Sequence, residues 1–464
     1  MSATDIARAT GGRVVRGDPA TPIGRIAIDS RALQAGDLFV AIHGDRFDGH
    51  HFLQDAARNG AIGAMVHRGP VSPEAGMGTP ALLIEVADTT RALQDLAREV
   101  RRRSGARVVA ITGSAGKTTT KEVIAEFLSA RFDVFRNKGN LNNHIGLPLS
   151  LLELRARPQV AVVELGMNHA GEIRTLVGIA EPDVRVWTNV GDAHLGFFSS
   201  ADEIADAKAE ILEAAGAAHV LVANANDPLV ASRVSRFAGK VVTFGIDTPA
   251  AVRAGRVEHH GLDGMSAEIT TAAETGRLRM PLLGVGNLMN VLAAIAVGLH
   301  FDVPLEEMLA RATRLAPAHH RGEVLRLPGG ITLIDDSYNS SPAALERSLE
   351  TVGAASGSAR KVAVLGEMLE LGEFSDSLHR RSGELARASG LDLLITVGGD
   401  AAASMAAAAI GAGMPERCVW HTPTKAEAAD LALRQVRAGD LVLVKGSRGI
   451  GTDLVVERLK EEFA

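Results

Sequence analysis

Residues Thr112 to Thr119, reading Thr-Gly-Ser-Ala-Gly-Lys-Thr-Thr, constrain the fold of this chain more than any other stretch. They follow an apolar run, Val108-Val109-Ala110-Ile111. They precede a segment in which Val123, Phe127 and Ala130 recur at steps of four and three. The pattern predicts a buried strand, a glycine turn and a helix over 117–130. In that order the glycines let the backbone approach an anion, and N–H groups at the helix start point toward it. Gly113, Ser114, Ala115, Gly116 and Thr119 would form the cradle. Lys117 would neutralise β- and γ-phosphate charge, and the Thr118 hydroxyl would hold Mg²⁺. The loop is shorter than the common phosphate loop, because the glycine wanted five positions before Gly116 is Ile111. An ordinary glycine turn is the bland alternative; strand, Gly-Lys-Thr-Thr and helix together argue against it.

A phosphate site needs a scaffold, and the chain has room for several cores. Its 464 residues exceed one domain of about 100–200 residues, and apolar residues make up 46%. The net charge of −6 argues against a general nucleic-acid binder, while leaving room for a local basic pocket. Cys418 is the single cysteine, so no disulfide can form within the chain, and a reducing compartment fits. Met1 to Gly12 has no long apolar stretch, and no run reaches the roughly 18 apolar residues of a membrane span. The expectation is a cytoplasmic protein with no membrane span.

Three blocks follow from the pattern of runs, with boundaries expected at 1–104, 105–316 and 317–464. The first, up to Val86, reads as a small α/β unit, and Thr89 to Ser104 as a helical linker. In the second, apolar runs at Val160–Leu165, Val184–Val190, His219–Ala223 and Val241–Phe244 alternate with helical segments. That alternation implies a mostly parallel sheet covered on both faces. Val252 to Arg279 reads as an antiparallel excursion or loop, and Asn287 to Leu299 as an apolar helix. The third block carries runs at Ile331–Ile334, Val362–Leu365, Leu393–Val397 and Leu441–Val444, which reads as a Rossmann-like α/β sheet. A hinge is expected at Ala316-Pro317-Ala318-His319-His320. The fold class is thus α/β in three domains.

Some side chains stand out on residue type and position. Glu164 ends an apolar strand run, where α/β sheets bind ligands; a solvated strand end is the alternative. His194 follows a strand and taken alone is more often structural. Lys208 shares an apolar helix face with Ile204 and Ile211, where a lysine usually snorkels.

The shortened loop resembles that of the Mur ligase and folylpolyglutamate synthetase superfamily, and further segments narrow the match. Asn140-Leu141-Asn142-Asn143-His144-Ile145-Gly146-Leu147-Pro148 resembles the family's substrate loop. Glu164 to Ile173, Asp335 to Pro342, Leu365 to Gly372 and Lys445-Gly446-Ser447-Arg448 are similar to segments of the MurF type. Asp29-Ser30-Arg31 and Asp48-Gly49-His50 resemble the uridine-nucleotide domain of the MurE and MurF types. The Asp-Asn-Pro-Arg signature of the MurE type is missing. Two departures are visible: Gly286 precedes Asn287 where the family often has histidine, and Gly196 follows Leu195 where it often has glutamate.

The resemblance implies an ATP-dependent ligase of peptidoglycan synthesis, joining D-Ala-D-Ala to UDP-MurNAc-tripeptide through an acyl phosphate. It implies a small N-terminal uridine-nucleotide domain, a central ATP-binding domain and a Rossmann-like C-terminal domain, in a monomer. Two Mg²⁺ ions are implied, with Thr118, Glu164, His194 and a carbamylated Lys208 as ligands. Asn287 is implied at adenine, Asp335 at the ribose and Arg321 at the phosphates. Ser30, Arg31, Asp48, Gly49, His50, Asn142, Asn143, Asn168, Tyr338, Asn339, Lys445, Ser447 and Arg448 are implied near the other substrates. The rivals are a MurE-type ligase adding one amino acid, a folylpolyglutamate synthetase, a phosphotransferase or motor-type ATPase, and a non-enzymatic nucleotide-binding protein.

Overall fold

The structure, a computed structural model, describes residues 1–44, 47–69, 78–191 and 195–464. It divides into two compact units. One comprises Met1–Ala110, Phe132–Met167 and Gly171–Asp183; the other comprises Ile111–Arg131, Asn168–Ala170 and Val184–Ala464.

The first unit holds a five-stranded sheet of β1 (Arg13–Arg16), β2 (Ile26–Ala27), β3 (Leu38–Val40), β4 (Gly63–His67) and β5 (Leu82–Val86), in the order β1-β5-β4-β3-β2. β1 pairs antiparallel with β5, and the other pairs are parallel. Parallel strands are covered on both faces, which is why all of β3 is buried and reads as an unbroken apolar run. The helix Thr89–Ser104 follows as expected. The Asp88 side chain accepts from the Arg91 N–H at its start, and Gly105 ends it at φ 72. Leu93, Leu96, Ala97 and Val100 form its buried face, while Arg101 reaches the Ala180 carbonyl and the Asp183 carboxylate. The unit also holds most of β6 (Arg107–Thr112), with β7 (Val134–Arg136) and β8 (Val160–Glu164), in the order β6-β8-β7.

The second unit contains β9 (Val184–Trp187), β10 (Val220–Asn224), β11 (Lys240–Ile246), β12 (Val252–His259), β13 (Met265–Thr270) and β14 (Thr275–Met280), paired in that order. β9 to β12 run parallel; β12, β13 and β14 are antiparallel, so 252–280 is a folded extension of the sheet. The Lys117–Leu128 helix stops two residues short of the expected end, at a C-cap on Ser129. The apolar Gly284–His300 helix starts three residues before Asn287 and packs on both the Lys117–Leu128 helix and β11.

A six-stranded sheet completes this unit: β15 (Glu323–Arg326), β16 (Thr332–Asp336), β17 (Arg360–Gly366), β18 (Leu393–Val397), β19 (Val419–Thr422) and β20 (Asp440–Lys445). Its order is β15-β16-β20-β17-β18-β19. Period-two alternation divides its core. Ile334, Ala363 and Leu365 pack with Leu345 and Leu349 on one face; Leu333, Val362, Val364 and Val442 pack on the other. The edge strand β19 has two exposed residues of four, so no apolar run announces it. Among the described residues, no helix is long and apolar enough to cross a membrane.

Candidate functional site

Two glycines shape the phosphate loop. Gly116 has φ 83, and a Cβ there would lie 2.3 Å from Oδ1 of Asn290. A Cβ on Gly113 would lie 1.9 Å from Oγ1 of Thr188. The loop is braced from the residues after β9. The Ser114 N–H donates to the Asn189 carbonyl at 3.0 Å, and the Ala115 N–H to Asn189 Oδ1 at 2.9 Å. Asn189 Nδ2 returns a bond to the Ala115 carbonyl at 3.0 Å, and Thr188 Oγ1 donates to the same oxygen at 2.9 Å. The Ser114 and Ala115 amides therefore hold the loop's shape instead of facing an anion. The anion-facing end is the start of the Lys117–Leu128 helix, which has no side-chain cap among the described residues and presents the positive end of its dipole. Lys117 Nζ donates to the Gly113 carbonyl at 2.8 Å, so its charge curls over the loop.

A polar relay ties this loop to the Gly284–His300 helix. Thr120 Oγ1 donates to Asn290 Oδ1 at 3.1 Å, Asn290 Nδ2 to Asn287 Oδ1 at 3.2 Å, and Asn287 Nδ2 to the Leu283 carbonyl at 2.9 Å. The expected adenine contact, Asn287, is thus held in place on the wall of a cleft of about 980 Å³. Ser114, Gly116, Asn189, Asp227 and Asn290 line the same side. Asp227 is fixed by the Val190 N–H at 2.7 Å while capping Leu229 and Val230. This volume suits a drug- or cofactor-sized ligand.

The facing wall comes from the six-stranded sheet, through Arg321, Asp336, Tyr338, Asn339, Arg347 and Lys445. The Arg321 guanidinium sits 4.0 Å from the Tyr338 ring centre, and Arg448 Nη1 donates to the Tyr338 hydroxyl at 3.1 Å. Lys445, 3% exposed, donates to Asp336 Oδ2 at 2.6 Å and to the Asn339 carbonyl at 3.1 Å. The cluster can meet an anionic ligand with fixed positive charge.

Two residues expected at this wall have protein partners in the structure. Asp335 does not face the cleft: its carboxylate is 1% exposed and bonds His320 Nδ1 at 2.6 Å and the Ser337 hydroxyl at 2.6 Å. Alternation along β16 sends Asp335 to the other side, and the adjacent Asp336 is the carboxylate that this wall presents to the cleft. Ser447 is buried, and its hydroxyl accepts from the Leu369 N–H at 2.9 Å, so it braces the 366–372 segment. The expected hinge is pinned at one end by the same His320–Asp335 contact.

Other expected substrate residues have mainly architectural partners. His50 Nε2 accepts from the His67 N–H at 3.0 Å, so Nδ1 carries the proton and donates to Asp48 at 2.6 Å. Burial alone would raise the Asp48 pKa; the His50 amide and ring overrule it and hold it at about 2. A Cβ on Gly49 would strike the Ala41 backbone at 2.8 Å. Ser30 is buried, with its carbonyl bonded by Asn59; Arg31 is exposed and paired with Asp29 at 2.8 Å. Asn143 Oδ1 accepts from Gly146 N–H at 2.8 Å at the start of the next helix. Asn142 Nδ2 donates to Glu164 Oε1 at 2.6 Å. Asn168 is exposed.

Glu164 lies at the C-terminal end of β8, 2% exposed, its orientation set by Asn142 and its backbone N–H bonded to Asn137 Oδ1 at 3.2 Å. His194 lies outside the described residues. Lys208 is 1% exposed on the Ala201–Ala209 helix, so it does not snorkel. Burial, and secondarily the nearby Lys117 charge, drive its pKa well below 10.5. Among the described residues no three histidine, cysteine or carboxylate side chains form a metal-holding group. The sequence reading missed Asn189, Asn224, Asp227, Asn290, Asp336 and Arg347. For Asn189 and Asn224 the signal was position, since each stands at or just after the C-terminal end of a parallel strand.

The family models match the chain in three consecutive stretches: the Mur ligase family catalytic domain over residues 22–101, the Mur ligase middle domain over 111–298, and the Mur ligase glutamate ligase domain over 320–448. The UDP-N-acetylmuramoyl-tripeptide–D-alanyl-D-alanine ligase of Bacillus subtilis is 33% identical over 95% of this chain and 94% of its own. The ligase of that name from Escherichia coli is 34% identical over 94% and 93%. Among solved structures, MurF from Acinetobacter baumannii superposes with a TM-score of 0.88, at 31% identity over 99% of this chain and 98% of that one. MurF from Thermotoga maritima, in complex with ADP, gives 0.82 at 30% identity over 95% and 97%. On this evidence the chain belongs to the Mur ligase family, as a member of the MurF type with its three-domain α/β fold.

Proposed function

We propose that this chain joins D-Ala-D-Ala to UDP-MurNAc-tripeptide at the expense of ATP, yielding the pentapeptide precursor of peptidoglycan, ADP and phosphate. The observation that carries the reading is the cleft, which opposes a glycine-built phosphate loop to a wall of cations and one carboxylate. The names of the relatives and the ADP in the Thermotoga maritima MurF structure support it. A carboxylate is a poor acyl donor, so an oxygen of the tripeptide carboxylate attacks the γ-phosphorus and the bond to the ADP oxygen breaks. The dipeptide amine then attacks the acyl carbon, phosphate leaves with the C–O electron pair, and the amine gives up a proton.

Each step needs charge control, which this chain's residues supply in our reading. Lys117 and the uncapped helix start offset charge on the transferring phosphoryl group. Asp336 takes the ribose role expected of Asp335, Asn287 the adenine side, and Arg321 the phosphates. Tyr338, Asn339, Lys445 and Arg448 face the dipeptide. Ser30, Arg31 and Asp48–His50 belong to the uridine-nucleotide side, and Asn142, Asn143 and Asn168 to the tripeptide side. By residue type, a hydroxyl, two carboxylate-like anions and an imidazole would suit a divalent cation. Lys208 is buried beside Lys117 with its pKa lowered, which favours the neutral amine that adds CO₂ and loses a proton to give an anionic carbamate, and Glu164 is a buried carboxylate already oriented. Thr118, Glu164, His194 and the Lys208 carbamate would hold up to two Mg²⁺ ions, which would screen the repulsion between carboxylate and triphosphate. The reading keeps three domains, 1–104, 105–316 and 317–464, in a cytoplasmic monomer.

Phosphate release from ATP is the test. With UDP-MurNAc-tripeptide present, adding D-Ala-D-Ala should give stoichiometric phosphate and pentapeptide. Single amino acids, or folate with glutamate, should give neither. Release without amide formation, or ligation of a single amino acid instead, would overturn the assignment.

A further inference from the structure

Gly286 lies in the first turn of the Gly284–His300 helix, where the family pattern often has histidine. A Cβ built on it would meet the Arg347 side chain of the Pro342–Ala354 helix, with Nε at 3.5 Å and Cδ at 3.7 Å. The Cδ–Nε stretch of Arg347 therefore lies at ordinary contact distance from the bare face of Gly286, with the rest of its guanidinium farther out. Both residues line the cleft.

Arg347 is open to the cleft, and among the described residues no hydrogen bond or ion pair holds its guanidinium. The surrounding walls thin the water around it and lower its pKa, against weaker attraction from Glu350, Asp336 and Glu346. Because Arg347 is exposed, water solvates its guanidinium until a ligand in the cleft takes that water's place.

The geometry also sets which part of a nucleotide reaches it. Gly116 of the phosphate loop abuts Asn290, and Gly286 lies four residues earlier on the same helix, roughly 6 Å along its axis. Asn287, placed at the adenine side in the reading above, directly follows Gly286, so a base held there lies beside Gly286. A planar guanidinium exposed to the cleft beside Gly286, with no protein partner among the described residues, is suited to stack on a flat π system.

We propose that Arg347 is the stacking platform for the nucleobase of ATP in this chain, standing in from the opposite wall for the ring that Gly286 lacks. The inference rests on the ATP-dependent ligation proposed above and adds a specificity-determining residue to it.

The test uses the full-length protein and compares wild type with R347A and with R347M, which keeps an apolar stem without the planar cation. KM for ATP should rise roughly tenfold in both, as for loss of one base–side-chain stack. kcat, and KM for the dipeptide, should stay within about twofold of wild type. Inhibition by inorganic tripolyphosphate, which has phosphates and no base, should not change. The double variant R347A/G286H should recover part of the lost ATP affinity, since a ring is restored from the other wall. An unchanged KM for ATP in either variant, or an equal weakening of ATP and tripolyphosphate, would overturn the proposal. If wild type ligates and both variants match it, the platform fails while the ligase reading stands; if wild type forms no amide, the ligase reading itself fails.

Discussion

Lys117 and Lys208 show how one local environment serves two opposite purposes. Lys117 is half-buried and held on the Gly113 carbonyl, where its positive charge is an asset to a triphosphate. K117A should leave the fold intact, since alanine favours helix and no core packing is lost. Turnover should fall at least about 100-fold, as when one preorganised donor to the transition state is removed. Near-normal phosphate release by K117A would refute its role. Lys208, by contrast, is buried where a proton is unwelcome, and its folded pKa lies below the ordinary 10.5. Between that lowered value and 10.5 the unfolded chain holds a proton that the folded chain lacks, so stability rises with pH across the window. Below the folded value both states are protonated and the burial penalty is present in full. K208M removes the penalty. In bicarbonate-free buffer, its advantage over wild type in urea unfolding should be largest at the low end of the window and vanish above pH 10.5. A gap that does not vary with pH would show that the amine is not destabilised by burial. In ¹³C-bicarbonate, wild type should show a carbamate resonance that K208M lacks.

Between elements, both departures from the family pattern lie against another segment of the second unit, but only one is tight. A Cβ at 286 would meet Arg347 at an ordinary 3.5 Å. Gly196 donates its N–H to the Glu370 carbonyl at 2.9 Å, and a Cβ there would lie 3.0 Å from that oxygen and from the Gly372 nitrogen. Glutamate at 196 must push away a turn in which Glu370 and Gly372 already have φ of 67 and 56. G196E should cost about 1–3 kcal/mol in overpacking. Ligation should slow while ADP titration stays near wild type, because residues 113–119, 188–191 and 290 build the phosphate loop without that turn. Equal loss of both would place the turn inside the nucleotide site. The same contrast explains what could be read from sequence. The phosphate loop and the helices at 89 and 117 were legible because strand, glycine and 3.6-residue periodicity are local signals. The choice between Asp335 and Asp336 was not, since it depends on which face of β16 turns to the cleft, a parity fixed by its pairing with β20. Ser447 looked like a ligand-binding residue because serine, lysine and arginine cluster there; its true partner, Leu369, lies 78 residues away. Asn290 and Arg347 sit in helices whose sequence describes helix and core, and their role appears where two elements meet.

At the scale of the molecule, the two tryptophans provide a means to ask whether both walls of the cleft grip the nucleotide. Trp187 is fully buried in β9, next to the loop-bracing residues Thr188 and Asn189. Trp420 is 42% exposed on β19, the far edge of the six-stranded sheet. Each sheet has its own core, so two-state unfolding is not guaranteed, and the two indoles can report different midpoints without ligand. A ligand that binds the folded cleft alone stabilises whatever structure it needs, by about 2.7 kcal/mol at 100 times its Kd. ADP touching both walls must transmit that stabilisation to both sheets. In W420F, where Trp187 alone reports, and in W187F, where Trp420 alone reports, ADP should raise both denaturation midpoints and narrow the difference between them. A shift confined to the Trp187 probe would mean that the phosphate loop binds ADP without the Arg321, Asp336 and Arg347 wall. R347A tested on the Trp420 probe then separates the two contributions: the ADP-induced shift should shrink there more than at Trp187, because the variant removes a contact that belongs to the Trp420 side of the cleft.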